Sequence, residues 1–150
     1  MSAIAAHLEA LFRSACYRIR LDEDWHETFV GQRSSPVAAW LARHGFDRAS
    51  LISARNPQGR PLGEEDNRRR ERALRQRLEA LGLQTLAAEG AAPDRRFVEP
   101  SLWVPGLGGE ACRLLMRDFD QLAWVEYDAL GLARLCWTHE TEEQQPCGQQ

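Results

Sequence analysis

The chain has 150 residues, 43% of them hydrophobic and 27% charged, and a formal net charge of -3. That is enough apolar material for one core and too short a chain for two, and a near-neutral balance raises no global field toward nucleic acid or an anionic membrane. No run approaches the roughly 18–20 apolar residues of a membrane span. His7, Glu9 and Arg13 interrupt the apolar start, unlike a signal peptide, and Cys16, Cys112, Cys136 and Cys147 form no C-x-x-C pair, so a cytoplasmic chain with reduced thiols is expected.

Ile4, Leu8, Leu11 and Phe12 recur at helical spacing and predict an amphipathic helix beginning at Ser2. Tyr17 to Leu21 and Glu27 to Val30 read as a hairpin around Asp22-Glu23-Asp24. Ser35 as N-cap, Pro36 at the first helical position and Gly45 just past the end frame a short helix, with Val37, Trp40 and Leu41 inward. Ala49 to Ala54 is a compact apolar run that turns at Asn56-Pro57-Gln58-Gly59, as a buried strand does. The longest helix spans about Glu64 to Leu81 and stops at Gly82; its inner stripe is Asn67, Glu71, Leu74, Leu78 and Leu81. That stripe starts polar and turns apolar, so the helix start is expected to overhang a sheet edge or a site.

Gln84 to Ala88 and Phe97 to Val104 read as strands joined by the turn-rich Gly90 to Asp94 segment. Glu110 to Arg117 reads as a helix, and Leu122 to Tyr127 with Ala133 to Trp137 as a closing hairpin. The expected order is α-β-β-α-β-α-β-β-α-β-β: one α+β domain over residues 1–138, a single mixed sheet of about six to seven strands with three to four helices on it. Residues 139–150 are polar and aperiodic and read as a disordered tail.

From Ser53-Ala54-Arg55-Asn56-Pro57 onward the sequence resembles a bacterial family called domain of unknown function 3293. The likeness runs roughly from Tyr17 to Trp137. The family's Thr-Ala-x-Asn-Pro element resembles Ser53 to Pro57, its later Asn resembles Asn67, and its Glu-x-Ser segment resembles Glu99-Pro100-Ser101. Its Phe-x-Gln-Asn-Ala element is similar to Phe119 to Ala123, with Leu122 in place of the Asn. The resemblance implies no reaction; it singles out polar residues.

Topology brings these residues together. A strand, crossover helix and strand in one sheet run the two strands parallel, so Asn56 and Asn67 share a strand's carboxyl end. The next strand returns and starts there, with Glu99 and Ser101, and the strand after the 110–117 helix also begins there, with Gln121. Arg55, Asn56, Asn67, Glu99, Ser101 and Gln121 are therefore the candidate ligand site, where amides and a carboxylate could hold a small polar or nucleotide-like molecule by hydrogen bonds. An Asn before Pro or at a helix start also supports its own loop, so a purely structural network in an accessory protein that binds another protein is the competing reading. A hydrolase or transferase built on Glu99 would need a second catalytic group.

Other signals are weaker. Arg68-Arg69-Arg70, Arg72, Arg75 and Arg77 are basic, yet Glu64–Arg68, Glu65–Arg69, Asp66–Arg70 and Glu71–Arg75 are all i, i+4 pairs, so a self-paired face is expected rather than a nucleic-acid patch. Gly106-Leu107-Gly108-Gly109 lacks the spacing and the G-K-[ST] ending of a phosphate loop. Cys136 and His139 are too few ligands for zinc, and neither a metal nor any other cofactor is assigned. Cys16, Cys112 and Cys136 read as small core residues.

Overall fold

The computed structural model describes residues 3–139, with residues 3–5 described by their backbone alone. Ile4 of the first apolar stripe and the tail beyond His139 therefore lie outside the side chains and residues described. The elements follow the expected order: α1 (Ala3–Ser14), β1 (Cys16–Leu21), β2 (Asp24–Thr28), α2 (Ser35–His44), β3 (Arg48–Ile52), α3 (Glu64–Ala80), β4 (Leu86–Ala91), β5 (Val98–Pro105), α4 (Gly109–Asp118), β6 (Ala123–Asp128) and β7 (Ala133–Trp137).

Local chemistry accounts for the boundaries. Asp22 and Glu23 both take positive φ, 50° and 75°, so the first hairpin closes on these two residues alone and β2 starts earlier than its apolar content suggests. Ser34, not Ser35, caps α2: its hydroxyl accepts from the Val37 N–H at 3.3 Å, which places Ser35 and Pro36 in the first turn. Gly45, at φ 77°, ends that helix as expected. Leu81, assigned from its spacing to the inner stripe of α3, is instead 61% exposed, because it is the C-cap where the helix leaves the core.

The strands form one seven-stranded sheet in the order β2-β1-β4-β5-β3-β6-β7. Every neighbouring pair is antiparallel, so the sheet is not mixed. The crossover β3-α3-β4 does run its two strands in one direction, since each is antiparallel to β5; the returning strand β5 has slotted between them. β5 and β6 likewise share a direction because both pair with β3. Consequently β1, β5 and β6 start, and β3, β4 and β7 end, along one edge of the sheet.

Alternation along the strands gives the sheet two apolar faces. On the first, Tyr17, Ile19, Trp103, Val125 and Tyr127 pack under Val37, Trp40 and Leu41 of α2. On the second, Ile52, Leu102, Val104 and Trp124 pack under Leu74 and Leu78 of α3 and Leu115 and Met116 of α4. α1 also lies over the first face, toward the edge where β5 and β6 start: the Tyr17 hydroxyl donates to the Phe12 carbonyl at 2.6 Å, and the Phe12 and Trp137 rings stand 5.9 Å apart. Cys16 and Cys112 are buried free thiols, whereas Cys136 is disulfide-bonded, contrary to the expectation of reduced thiols throughout. No described helix is long and apolar enough to cross a membrane.

Candidate functional site

The chain leaves β3 through Ser53 and Ala54 and turns at Asn56, whose φ of 49° puts it in the left-handed region that Asn tolerates. Two features fix that turn. The Asn56 N–H donates to Asn67 Oδ1 and Asn67 Nδ2 donates back to Asn56 Oδ1, both at 2.9 Å. Asn56 Oδ1 also accepts from the Leu62 N–H at 3.1 Å, closing the loop between them. The amide left over, Asn56 Nδ2, donates to Glu99 Oε1 at 2.9 Å. The polar start of the α3 stripe thus holds a loop at the sheet edge.

Arg55 is turned the other way. Its Nη1 donates to Glu64 at 2.8 Å and its Nε to Glu71 at 3.2 Å, both on α3, while its carbonyl accepts from Gln121 Nε2 at 3.1 Å. Gln121 Nε2 also reaches the Phe119 carbonyl at 3.3 Å, and the Ser101 hydroxyl donates to the Glu99 carbonyl at 3.2 Å. The six residues chosen from the sequence therefore form one connected group. Arg70 ties it down: its guanidinium bridges the Ala54 and Phe119 carbonyls, in place of the expected pair with Asp66.

A cavity of about 400 Å³ opens beside this group, between α1 and the first face of the sheet. Arg55, Asn56, Glu99, Ser101 and Gln121 line it; Asn67 stands behind and supports Asn56. Its walls are apolar, with Leu8, Leu11 and Phe12 of α1 facing Leu51 and Val125 of the sheet. Glu99 is partly exposed on the floor yet enclosed by protein on its other sides. Burial pushes its carboxyl above the ordinary value, with donors on Asn56 and Ser53 and the charge of Arg55 offsetting part of that shift.

Sequence reasoning missed Tyr17 and Gly90. The sheet register sets Tyr17, Gly90 and Glu99 side by side on β1, β4 and β5. A Cβ on Gly90 would stand 3.3 Å from the Tyr17 ring, so glycine leaves the ring its place in the cavity wall. Burial, and to a lesser degree the nearby Glu99 charge, raises the Tyr17 phenol above its ordinary range. Only pairing across strands remote in sequence could have revealed this row.

The other motifs have contacts of their own within the fold. Glu126 Oε1 accepts from the Gly109 N–H at 2.8 Å at the start of α4, so the chain's own carboxylate fills the place a phosphate would take. A Cβ on Gly108 would stand 2.8 Å from the Arg48 side chain, a packing reason for that glycine. The α3 arginines pair as expected at Arg68–Glu64, Arg69–Glu65 and Arg75–Glu71. Among the described residues no group of three or more His, Cys, Asp or Glu could hold a metal ion.

Residues 52–124 match the family model described as protein of unknown function DUF3293. This segment is a DUF3293 domain. The DUF3293 segment carries every candidate polar residue from Arg55 to Gln121, whereas Tyr17 and the α1 wall of the cavity lie outside it. No curated protein and no solved structure matches the chain.

Proposed function

We propose that the domain binds a small organic molecule in the cavity between α1 and the sheet, its polar end on the floor around Glu99 and its apolar body against α1. The cavity itself carries this reading: about 400 Å³ is within the size of small-molecule sites, and apolar walls with a few convergent polar groups are their usual make-up. The ligand is thus more amphipathic than the purely polar molecule expected from the motif residues. Glu99's polar neighbours are amides and hydroxyls, which orient a ligand, and this favours binding over group transfer.

A protein-binding module is the second reading, supported by Phe97 and Leu11 at the cavity mouth, 58% and 48% exposed. A bacterial cytoplasm is the proposed location; the buried free thiols of Cys16 and Cys112 accord with it and the Cys136 disulfide weighs against it.

Saturation-transfer NMR of a metabolite mixture against the wild type and Ser101→Leu, which fills the cavity floor, tests the reading. Signals from particular compounds that vanish with a folded Ser101→Leu variant support it. Compounds bound equally by both proteins, or none by either, favour the protein-binding module.

A further inference from the structure

Resting on the cavity reading above, we propose that the site selects an amphipathic organic cation, a protonated amine or amidinium seated on Glu99 with an apolar body beneath α1. Among the described residues, the charged ones lining the cavity are Arg55 and Glu99. Arg55 holds its guanidinium on Glu64 and Glu71, within 2.8 and 3.2 Å, so its charge is already answered by α3. Among the described residues Glu99 has no ion-pair partner: its carboxylate rests on the neutral donors of Asn56 and Ser53, with the α3-paired Arg55 charge contributing less than either.

The donor inventory of the floor points the same way. Gln121 Nε2 serves two carbonyls, the Ser101 hydroxyl serves the Glu99 carbonyl, and the Tyr17 hydroxyl serves that of Phe12. These three side-chain donors are thus engaged within the protein, and a carboxylate faces the cavity. Phosphorylated or carboxylated ligands would meet like charge; a cationic head meets its complement in a poorly hydrated place, where charge-assisted hydrogen bonds are strongest. Burial already raises the Glu99 pKa, a cost of ionising it there that a bound cation relieves. Of the other ionisable groups beside it, Tyr17 is itself raised and stays neutral, and Arg55 is paired.

Calorimetric titration of the full chain at pH 7.5 with octylammonium, octanol and octanoate, which share one apolar tail, separates the head-group effect from the apolar one. Octylammonium is expected to bind at least about tenfold more tightly than octanol, since an ionic hydrogen bond is roughly twice as strong as a neutral one, and octanoate most weakly. Glu99→Gln is expected to remove the preference for ammonium while leaving octanol binding within about threefold, as the apolar contacts are unchanged. Equal binding of ammonium and alcohol by the wild type, or a preference that survives in Glu99→Gln, overturns the cation inference and leaves the cavity reading standing. Binding of none of the three removes both. Should Glu99→Gln not fold, carboxyl NMR of the wild type decides: octylammonium must lower the Glu99 titration midpoint where octanol does not, and an unmoved midpoint overturns the inference.

Discussion

Asn56 and Asn67 exchange two hydrogen bonds of 2.9 Å, one to a backbone N–H and one between side chains, and through them a helix start and a strand end become one rigid corner. Removing the Asn67 side chain orphans the Asn56 N–H and withdraws a donor from Asn56 Oδ1. Asn67→Ala is therefore expected to cost about 1–3 kcal/mol in urea unfolding. Asn67→Asp restores the acceptor only and sets a carboxylate against Asn56 Oδ1, so it should recover little of the loss. Full recovery in Asn67→Asp would show that the donor half of the exchange contributes nothing.

Glu99 makes stability depend on pH with a definite sign. Its folded pKa is raised above the ordinary 4.5, so the folded chain holds this proton more tightly than the unfolded chain. The resulting stability is fully present below pH 4.5 and is lost as pH rises through the raised value. Glu99→Gln keeps an acceptor for Asn56 but cannot ionise. The variant should match the wild type at low pH and equal or exceed it at neutral pH, by denaturant titrations across this range. A variant clearly less stable at neutral pH than at acid pH, relative to wild type, contradicts the sign.

Arg70 spans the Ala54 and Phe119 carbonyls, joining the end of β3 to the turn after α4. A lysine keeps the charge but not the planar fork, and cannot hold both acceptors in this geometry. Arg70→Lys and Arg70→Ala should both destabilise the fold, by about 1–3 kcal/mol. If lysine restores wild-type stability, charge alone is what matters.

Two glycines separate steric clash from backbone strain. Gly45 and Gly131 share a φ of 77°, but a Cβ on Gly45 meets nothing within 4 Å, whereas one on Gly131 would stand 2.2 Å from the Ser34 carbonyl oxygen. Gly45→Ala should cost about 1–2 kcal/mol, the strain of a left-handed residue. Gly131→Ala has to push apart the cap of α2 and the β6–β7 turn as well, and should cost appreciably more. Equal melting temperatures for the two variants would contradict this.

The elements were legible because their punctuation is local. Gly45, Gly82 and the Asn56–Gly59 turn act within a few residues, and the element order follows from such signals. Sheet neighbours are not local. Nothing near Phe97 to Val104 says that this strand inserts between β3 and β4, yet that insertion makes the sheet antiparallel and brings Tyr17 alongside Gly90 and Glu99. The polar corner was legible because strand directions alone bring Asn56, Glu99 and Gln121 to one edge. The apolar half of the cavity was not: the spacing of Leu8, Leu11 and Phe12 predicts a helix, but not the face on which it lies. Arg70 shows the same limit, since its spacing from Asp66 suggested a surface pair and its partners are two remote carbonyls.

The cavity as a ligand site is tested most directly by following backbone amide shifts of the full chain during titration with octanol, a neutral probe indifferent to the Glu99 charge. Saturable shifts confined to α1 and to the residues around Leu51, Glu99, Ser101 and Val125 are the predicted result. Shifts that never saturate, or that gather on the outer surface around Phe97 and leave those strand residues unmoved, would contradict it.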